Sequence, residues 1–446
     1  MQQSQQFSST FGFLMAATGF AVGLGNIWRF PYVTGENGGG AFVIVYLGCA
    51  LLIGIPILIA EILIGRRGRA NPPKAISNLA ERENRPLAWR HVGHLNLGTA
   101  FIIQGTYCVV AGWVIWYLFK AITTGFSGVT TDVANSEFND VLQSIDGMLI
   151  WTFVSLSLTG AIVYLGVNKG IERSVRVLMP TLFALIFCLV AYNATQDGFM
   201  RAATYLFSPD FSKIDGGTFL AAIGQAFFSI GVGMAGMMIF GAYLPDNVSI
   251  TRCVLIIIVI DTGVALMAGL MIFPMVFRFG LDPAGGPGLI FQTLPVAFGQ
   301  MPGGHFVAVV FFTLLSVAAV TSMVGLVEPL VAWLEESHGH SRHKATLIVL
   351  GAISILALVS VLSYNVISNW QIGSRDLNGF LDYLANQIML PVGGLLIAIF
   401  CAWQIGRTSL REELSAMPEW VFNTWHFLIR FILPLIIAVI LVTGLT

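Results

Sequence analysis

Ala16-Ala17-Thr18-Gly19-Phe20-Ala21-Val22-Gly23-Leu24-Gly25-Asn26-Ile27-Trp28-Arg29-Phe30-Pro31 is the stretch on which the reading of this chain turns. It lies in an apolar run, yet Gly19, Gly23 and Gly25 fall within seven residues. Each glycine costs a helix about 1 kcal/mol relative to alanine. Close packing on small residues accounts for glycines in many membrane helices. It does not account for Arg29, because a charge at membrane depth is costly and defaults to a functional or paired role. The pattern predicts a spanning helix interrupted at Gly23-Leu24-Gly25-Asn26.

The rest of the chain supports a bilayer setting. Of 446 residues, 56% are apolar or aromatic and only 10% charged, with a mean hydropathy of +0.82. Soluble proteins carry about 25% charged residues. The expected class is an all-α polytopic membrane protein. Counting about 20 apolar residues per crossing, we expect eleven spans, at 11–34, 40–65, 95–125, 148–166, 174–194, 218–243, 252–279, 304–335, 343–364, 379–405 and 425–446. Most lysines and arginines fall in the loops after the even-numbered spans, whereas Arg201, Lys213, Arg278 and Arg375 fall on the other side with Lys120 near the boundary. The positive-inside rule then puts the N-terminus in the cytoplasm and the C-terminus outside.

The net charge of -1 and the lack of a basic, aromatic-interleaved stretch exclude nucleic acid as a partner, leaving lipid and a small molecule. Met1 to Thr10 lacks the basic start and cleavage site of a signal peptide, so the first run is expected to be retained as a span. Cys49, Cys108, Cys188, Cys253 and Cys401 sit in apolar runs without ligand spacing and are expected as core thiols. The loops from Arg66 to His94 and from Asp132 to Asp146 are the largest soluble pieces, so no separate catalytic domain is expected. The seven histidines lie mostly in loops, and His338, His340 and His343 read as solvated rather than as a metal tract. No nucleophile and base stand together in the bundle, and an enzyme is not expected.

Gln225-Ala226-Phe227-Phe228-Ser229-Ile230-Gly231-Val232-Gly233-Met234-Ala235-Gly236 in the sixth span repeats the interruption. Breaks at corresponding places in two halves are the pointer to a transporter's central site. The division expected is a cytoplasmic segment 1–10, a first half 11–194, a second half 218–405 and a further helix 425–446, the halves forming a 5+5 inverted repeat. Unwinding frees carbonyl oxygens for a hard cation and leaves amides that favour an anion.

Ala21-Val22-Gly23-Leu24-Gly25-Asn26-Ile27-Trp28-Arg29-Phe30-Pro31-Tyr32, with Glu36-Asn37-Gly38-Gly39-Gly40-Ala41-Phe42, resembles the signature of the neurotransmitter:sodium symporter family. Gly224-Gln225-Ala226-Phe227-Phe228-Ser229, Thr321-Ser322 with Pro329, and Leu390-Pro391-Val392-Gly393-Gly394 extend the resemblance over nearly the whole chain. It implies a sodium-coupled carrier working by alternating access. The eleventh span ending the chain, and the absence of a cysteine pair in the second outer loop, resemble the bacterial branch and imply an inner-membrane location.

The resemblance implies two sodium ions as co-transported cargo. The first would meet Ala21, Asn26, Ser229 and Asp261, with the substrate carboxylate completing the site. The second would meet Gly19, Val22, Ala318, Thr321 and Ser322. Oxygen-only ligation suits a hard monovalent ion. Relatives that bind chloride resemble each other in having asparagine where this chain has Asp261 and serine where it has Ala265; the fixed carboxylate here implies no chloride requirement.

For the solute, the amides of Leu24 and Gly25 with the Tyr107 hydroxyl resemble a carboxylate clamp. Gly23 replaces the aspartate by which monoamine carriers hold an amine, so the substrate is expected to bring its own carboxylate. Ile103, Phe228, Gly231, Met234, Ser322, Gly325 and Leu326 would line an apolar pocket, roomy at Gly231 and Gly325. Neutral hydrophobic L-amino acids are the expected solutes. A carrier of γ-aminobutyrate, taurine or a related compound, and an amino-acid sensor of the same fold, stay open as alternatives.

Arg29 and Asp382 resemble an outer gate pair, with Phe228 as lid, or form a permanent ion pair. Glu336 matches an acidic inner gate, but the arginine expected to meet it is missing from residues 2–7, and Phe7 stands where a tryptophan is expected. Hydrogen bonds or aromatic packing would then close the inner side. Glu61 and Glu328, inside apolar spans, read either as structural acceptors or as proton carriers.

Overall fold

The computed structural model describes residues 6–286, 288–373 and 375–445. Residues 1–5 of the expected N-terminal segment lie outside the described residues. The chain is built almost wholly of helices. The first span is a bent pair, α1 (Thr10–Ala21) and α2 (Gly25–Glu36), kinked by 47°. Four continuous spans follow: α3 (Gly40–Gly68), α5 (Leu87–Thr123), α7 (Ile145–Tyr164) and α8 (Val167–Ala194). Between them lie α4 (Pro72–Arg82) and α6 (Thr131–Gln143), and α9 (Phe199–Phe207) follows α8.

The sixth span is the second broken one, α10 (Gly216–Ile230) and α11 (Gly236–Ala242). It leads to α12 (Ile250–Arg278), a short α13 (Leu294–Gln300), α14 (Gly304–His338) and α15 (Arg342–Ser363). A two-stranded ribbon, β1 (Gln371–Ile372) antiparallel to β2 (Arg375–Asp376), precedes α16 (Leu377–Gln404). Then come α17 (Arg407–Glu413) and α18 (Glu419–Val439). Among the described residues, nine helices are long and apolar enough to cross a membrane and the bent first pair makes ten; α10 is apolar but too short to count by itself, so the length criterion stops one short of the eleven expected.

The two expected loops prove partly helical. Asn71 caps α4, its side chain accepting from Lys74 N, and Thr130 caps α6 through Val133 N; such caps satisfy amides that a helix start leaves unpaired. The third span also begins earlier than its apolar run, at Leu87, because the polar stretch before Leu95 packs on α4.

The outer faces of the helices stay apolar: Phe153, Phe187, Val259 and Ile355 are each more than two-thirds exposed, as a lipid-facing surface requires. Cys188 shares that face on α8 and corrects the expectation of five core thiols; the other four are buried. The helices α3, α5, α12 and α14 contribute the largest shares of the buried interior.

Candidate functional site

Both breaks have local causes. Ser9 caps α1 through Gly12 N, and the helix runs until Val22, whose ψ of 97° turns the chain out. Asn26 then secures the break, its Oδ1 accepting from Gly23 N at 3.1 Å. In the sixth span Gly231 and Gly233 take φ of 74° and 78°, a region open to glycine at little cost, while Ala235 is held at 64°. Glu61 supports that turn from α3, its Oε1 accepting from Gly233 N at 2.7 Å.

The broken segments meet at mid-bundle. Asn26 Nδ2 donates to Ser229 Oγ at 2.8 Å, to Asp261 Oδ1 at 2.7 Å and to Asp261 O at 3.0 Å. Ser229 Oγ donates to Asp261 Oδ2 at 2.9 Å. All three residues are buried, and no basic side chain pairs with Asp261 among the described residues. Ala265 lies buried one turn along α12. Asp261 and Ser229 supply the oxygens here, a carboxylate and a hydroxyl that suit a hard monovalent cation, while Asn26 turns its Nδ2 toward them and its Oδ1 toward Gly23 N. Among the described residues no His, Cys, Asp or Glu cluster has metal-binding form.

A second oxygen-rich contact joins α1 to α14. Ser322 Oγ donates to Gly19 O at 3.3 Å and to Phe20 O at 3.1 Å. Thr321 Oγ1, one position earlier, bonds Val317 O and Ala318 O in its own helix. A Cβ on Gly19 would lie 3.3 Å from Thr321 Cβ, which places Gly19, Thr321 and Ser322 at one contact. Ala318 and Val22 are buried in the same α1 and α14 segments.

Between these groups lies a narrow pocket lined by Ala21, Gly25, Ile103, Tyr107, Phe228 and Met234 among others. Gly231, Ser322 and Leu326 also line it, whereas Leu24, Ser229 and Gly325 of the expected set are not among its lining residues. Tyr107 OH accepts from Leu24 N at 3.0 Å. The expected room at Gly231 and Gly325 is already filled. A Cβ on Gly231 would sit 2.8 Å from the Phe20 ring, and one on Gly325 would run into the same ring. Phe20 is thus a wall residue that sequence reasoning missed. Its place between Gly19 and Ala21 was the available signal, but nothing in the sequence tells which way its ring swings.

On the α2 side of the break a cavity of about 440 Å³ opens above the pocket. Phe228, half-buried, lines both and separates them. Arg29 and Asp382 face this cavity but form no ion pair, which corrects the permanent-pair reading. Arg29 donates to Gln225 Oε1 at 2.9 Å and lies 5.0 Å from the Phe228 ring centre. Asp382 accepts from Asn386 at 2.7 Å. Gln225 also donates to Gly25 O at 2.8 Å, fixing Arg29 to the broken segment.

The α1 side is packed shut. Phe7 N donates to Tyr243 O at 3.0 Å, and its ring meets those of Phe13, Phe240 and Tyr243. Ser8 gives Glu172 two hydrogen bonds, at 2.9 Å from N and 2.6 Å from Oγ, and Arg176 holds the same carboxylate. Glu336 bonds Asn71 instead, at 2.8 and 2.9 Å. Glu328 takes a hydrogen bond from Tyr243 OH at 2.7 Å and pairs with Arg342. Glu172 and Arg342 are therefore parts of this closure that the sequence reading did not single out. His343 stacks on Tyr164, and His338 meets the rings of Trp333 and His340.

The profile of the Sodium:neurotransmitter symporter family matches residues 4–140 and 131–446. The chain belongs to that family. An uncharacterized sodium-dependent transporter of Bacillus subtilis, YhdH, is 35% identical over 442 residues, covering 98% of this chain and 97% of the relative. A second uncharacterized sodium-dependent transporter, from Haemophilus influenzae, is 33% identical over 451 residues, covering 100% and 99%. Among solved structures, that of MhsT in complex with L-phenylalanine superimposes with a TM-score of 0.92 at 38% identity, covering 99% of this chain and 100% of MhsT. This symporter-family chain is accordingly a multi-pass membrane protein and a sodium-dependent transporter, not an enzyme.

Proposed function

We propose that the chain carries neutral hydrophobic L-amino acids into the cell with sodium, by alternating access and without chloride. The observation that carries this reading is the Tyr107 hydroxyl, 3.0 Å from the Leu24 amide at the helix break, over an apolar pocket with no acid at Gly23. A carboxylate placed there gains a hydroxyl donor, since Tyr107 OH only accepts from Leu24 N and keeps its own hydrogen to give, while the solute's side chain rests against Ile103, Phe20 and Met234. The likeness to MhsT, whose structure holds L-phenylalanine, supports the same substrate class.

Two sodium ions travel with the solute. One is held by Asn26, Ser229, Asp261 and the Ala21 carbonyl, completed by the solute carboxylate; the other by Gly19, Val22, Ala318, Thr321 and Ser322. Helices of the first half, 11–194, and the second half, 218–405, rock about this centre. Arg29 and Asp382 approach as the outer cavity closes over Phe228. The inner side opens when sodium leaves, releasing Phe7 and Ser8. The N-terminus is cytoplasmic and the C-terminus external, in a bacterial inner membrane.

The test is uptake into proteoliposomes under an inward sodium gradient, across leucine, phenylalanine, γ-aminobutyrate, taurine and tyramine. Uptake of leucine or phenylalanine that persists with gluconate in place of chloride is the expected result. Sodium-dependent binding without flux would favour a sensor, and preference for γ-aminobutyrate or taurine would overturn the substrate class.

A further inference from the structure

A second hollow, of about 260 Å³, opens between α5, α6 and α7 at the outer end of the bundle. Its apolar walls include the indoles of Trp113, Trp116 and Trp151, and its charged groups are Lys120, Glu137 and Asp140. Lys120 is already matched: it pairs with Glu137 and lies 5.8 Å from the Trp116 ring centre and 5.3 Å from that of Phe126. The Asp140 side chain makes no hydrogen bond or ion pair among the described residues. That leaves one exposed carboxylate, open to water, beside the aromatic faces.

We propose that this hollow binds a small organic cation with an aromatic or apolar body. Its ammonium group would rest on Asp140, and its body against the tryptophan faces. A cation over an indole is attracted by the ring quadrupole. The charge balance selects against the zwitterions of the central pocket: Lys120 and Glu137 cancel, so a ligand carboxylate would meet Asp140 without a free cation to hold it.

The place of the hollow gives it a consequence. Helix α6 is the partition between it and the outer cavity: Glu137 and Asp140 face the hollow, whereas Phe138 and Leu142 face the outer cavity. Trp113 is a wall of both. Phe138 stacks on Phe291 with ring centres 5.5 Å apart and planes 4° from parallel. A cation seated behind α6 braces that wall and slows departure of solute through the outer cavity.

Calorimetry on the full chain in lipid nanodiscs tests this with phenethylammonium as probe, 2-phenylethanol as its neutral counterpart, and L-phenylalanine with sodium as competitor. Phenethylammonium should bind with Asp140 present and weaken roughly tenfold in Asp140→Asn, while Asp140→Glu retains it. Trp151→Leu should weaken it as well, at unchanged melting temperature. Equal binding of 2-phenylethanol, undiminished binding in Asp140→Asn and Trp151→Leu, or displacement by L-phenylalanine would each overturn the proposal.

Discussion

Asn26 and Asp261 are joined twice, the Asn26 amide donating to both Oδ1 at 2.7 Å and the main-chain oxygen at 3.0 Å of a residue 235 positions away. This contact ties the first broken span to α12 at the depth where Ser229 of the second broken span also arrives. A buried carboxylate with no basic partner is costly unless its charge serves a ligand. The pair therefore links the sixth-span break to any cation that binds beside it.

Asp261→Asn removes the fixed charge while keeping shape and most hydrogen-bonding capacity. A hydrogen-bonded charged group contributes about 1.5–3 kcal/mol, so apparent sodium affinity should fall by roughly 10- to 100-fold. Sodium titrations of uptake in chloride and in gluconate should show wild-type transport equal in both, and variant transport better in chloride. Chloride-dependent wild-type uptake would sink the idea.

Tyr107→Phe deletes one hydroxyl that touches Leu24 N. Loss of a single hydrogen bond to a charged ligand costs about 2 kcal/mol, or roughly 30-fold in solute affinity. Because the ring still packs, the melting temperature without solute should shift by only about 2 °C or less. Unchanged affinity by calorimetry would remove Tyr107 from the carboxylate clamp.

The inner closure should loosen when Glu172 is replaced. Glu172→Gln keeps some hydrogen bonding to Ser8 but loses its pairing with Arg176, and Phe7→Ala removes a ring packed against three others. Burying such a ring is worth about 3 kcal/mol or more. Hydrogen exchange across residues 6–21 should quicken in both variants and slow again in sodium. Unaltered exchange in both would assign this cluster no part in closure.

Much of this architecture was legible in the sequence because its strongest signals are local. The run Gly23-Leu24-Gly25-Asn26 marks its break locally, and the length of apolar runs comes within one of the spans found by helix length, the difference being the broken sixth span. Side-chain pairing was less legible. Arg29 could be read as a charge at membrane depth, but not its partners, which are Gln225 and the Phe228 ring rather than Asp382. The missing N-terminal arginine could be read, as could Phe7 and a closure by hydrogen bonds or aromatic packing, whereas the contact of Ser8 with Glu172 could not, since it joins residues 164 positions apart. Helix α6 escaped notice because its apolar positions are few and its caps polar.

Phe20 offers the sharpest check on what the central pocket selects, since its ring occupies the space left by both Gly231 and Gly325. Shortening it to leucine removes aromatic bulk but keeps an apolar wall, which costs about 1 kcal/mol in packing. The space released lies beside Met234, whose side chain adapts its shape. Competition of unlabelled amino acids against radiolabelled leucine should then move toward tryptophan and phenylalanine and away from valine in Phe20→Leu. Gly325→Ala should move it the other way, because the added methyl pushes the Phe20 ring into the pocket. If both variants keep the wild-type order of preference, the pocket that selects the solute is not the one Phe20 bounds.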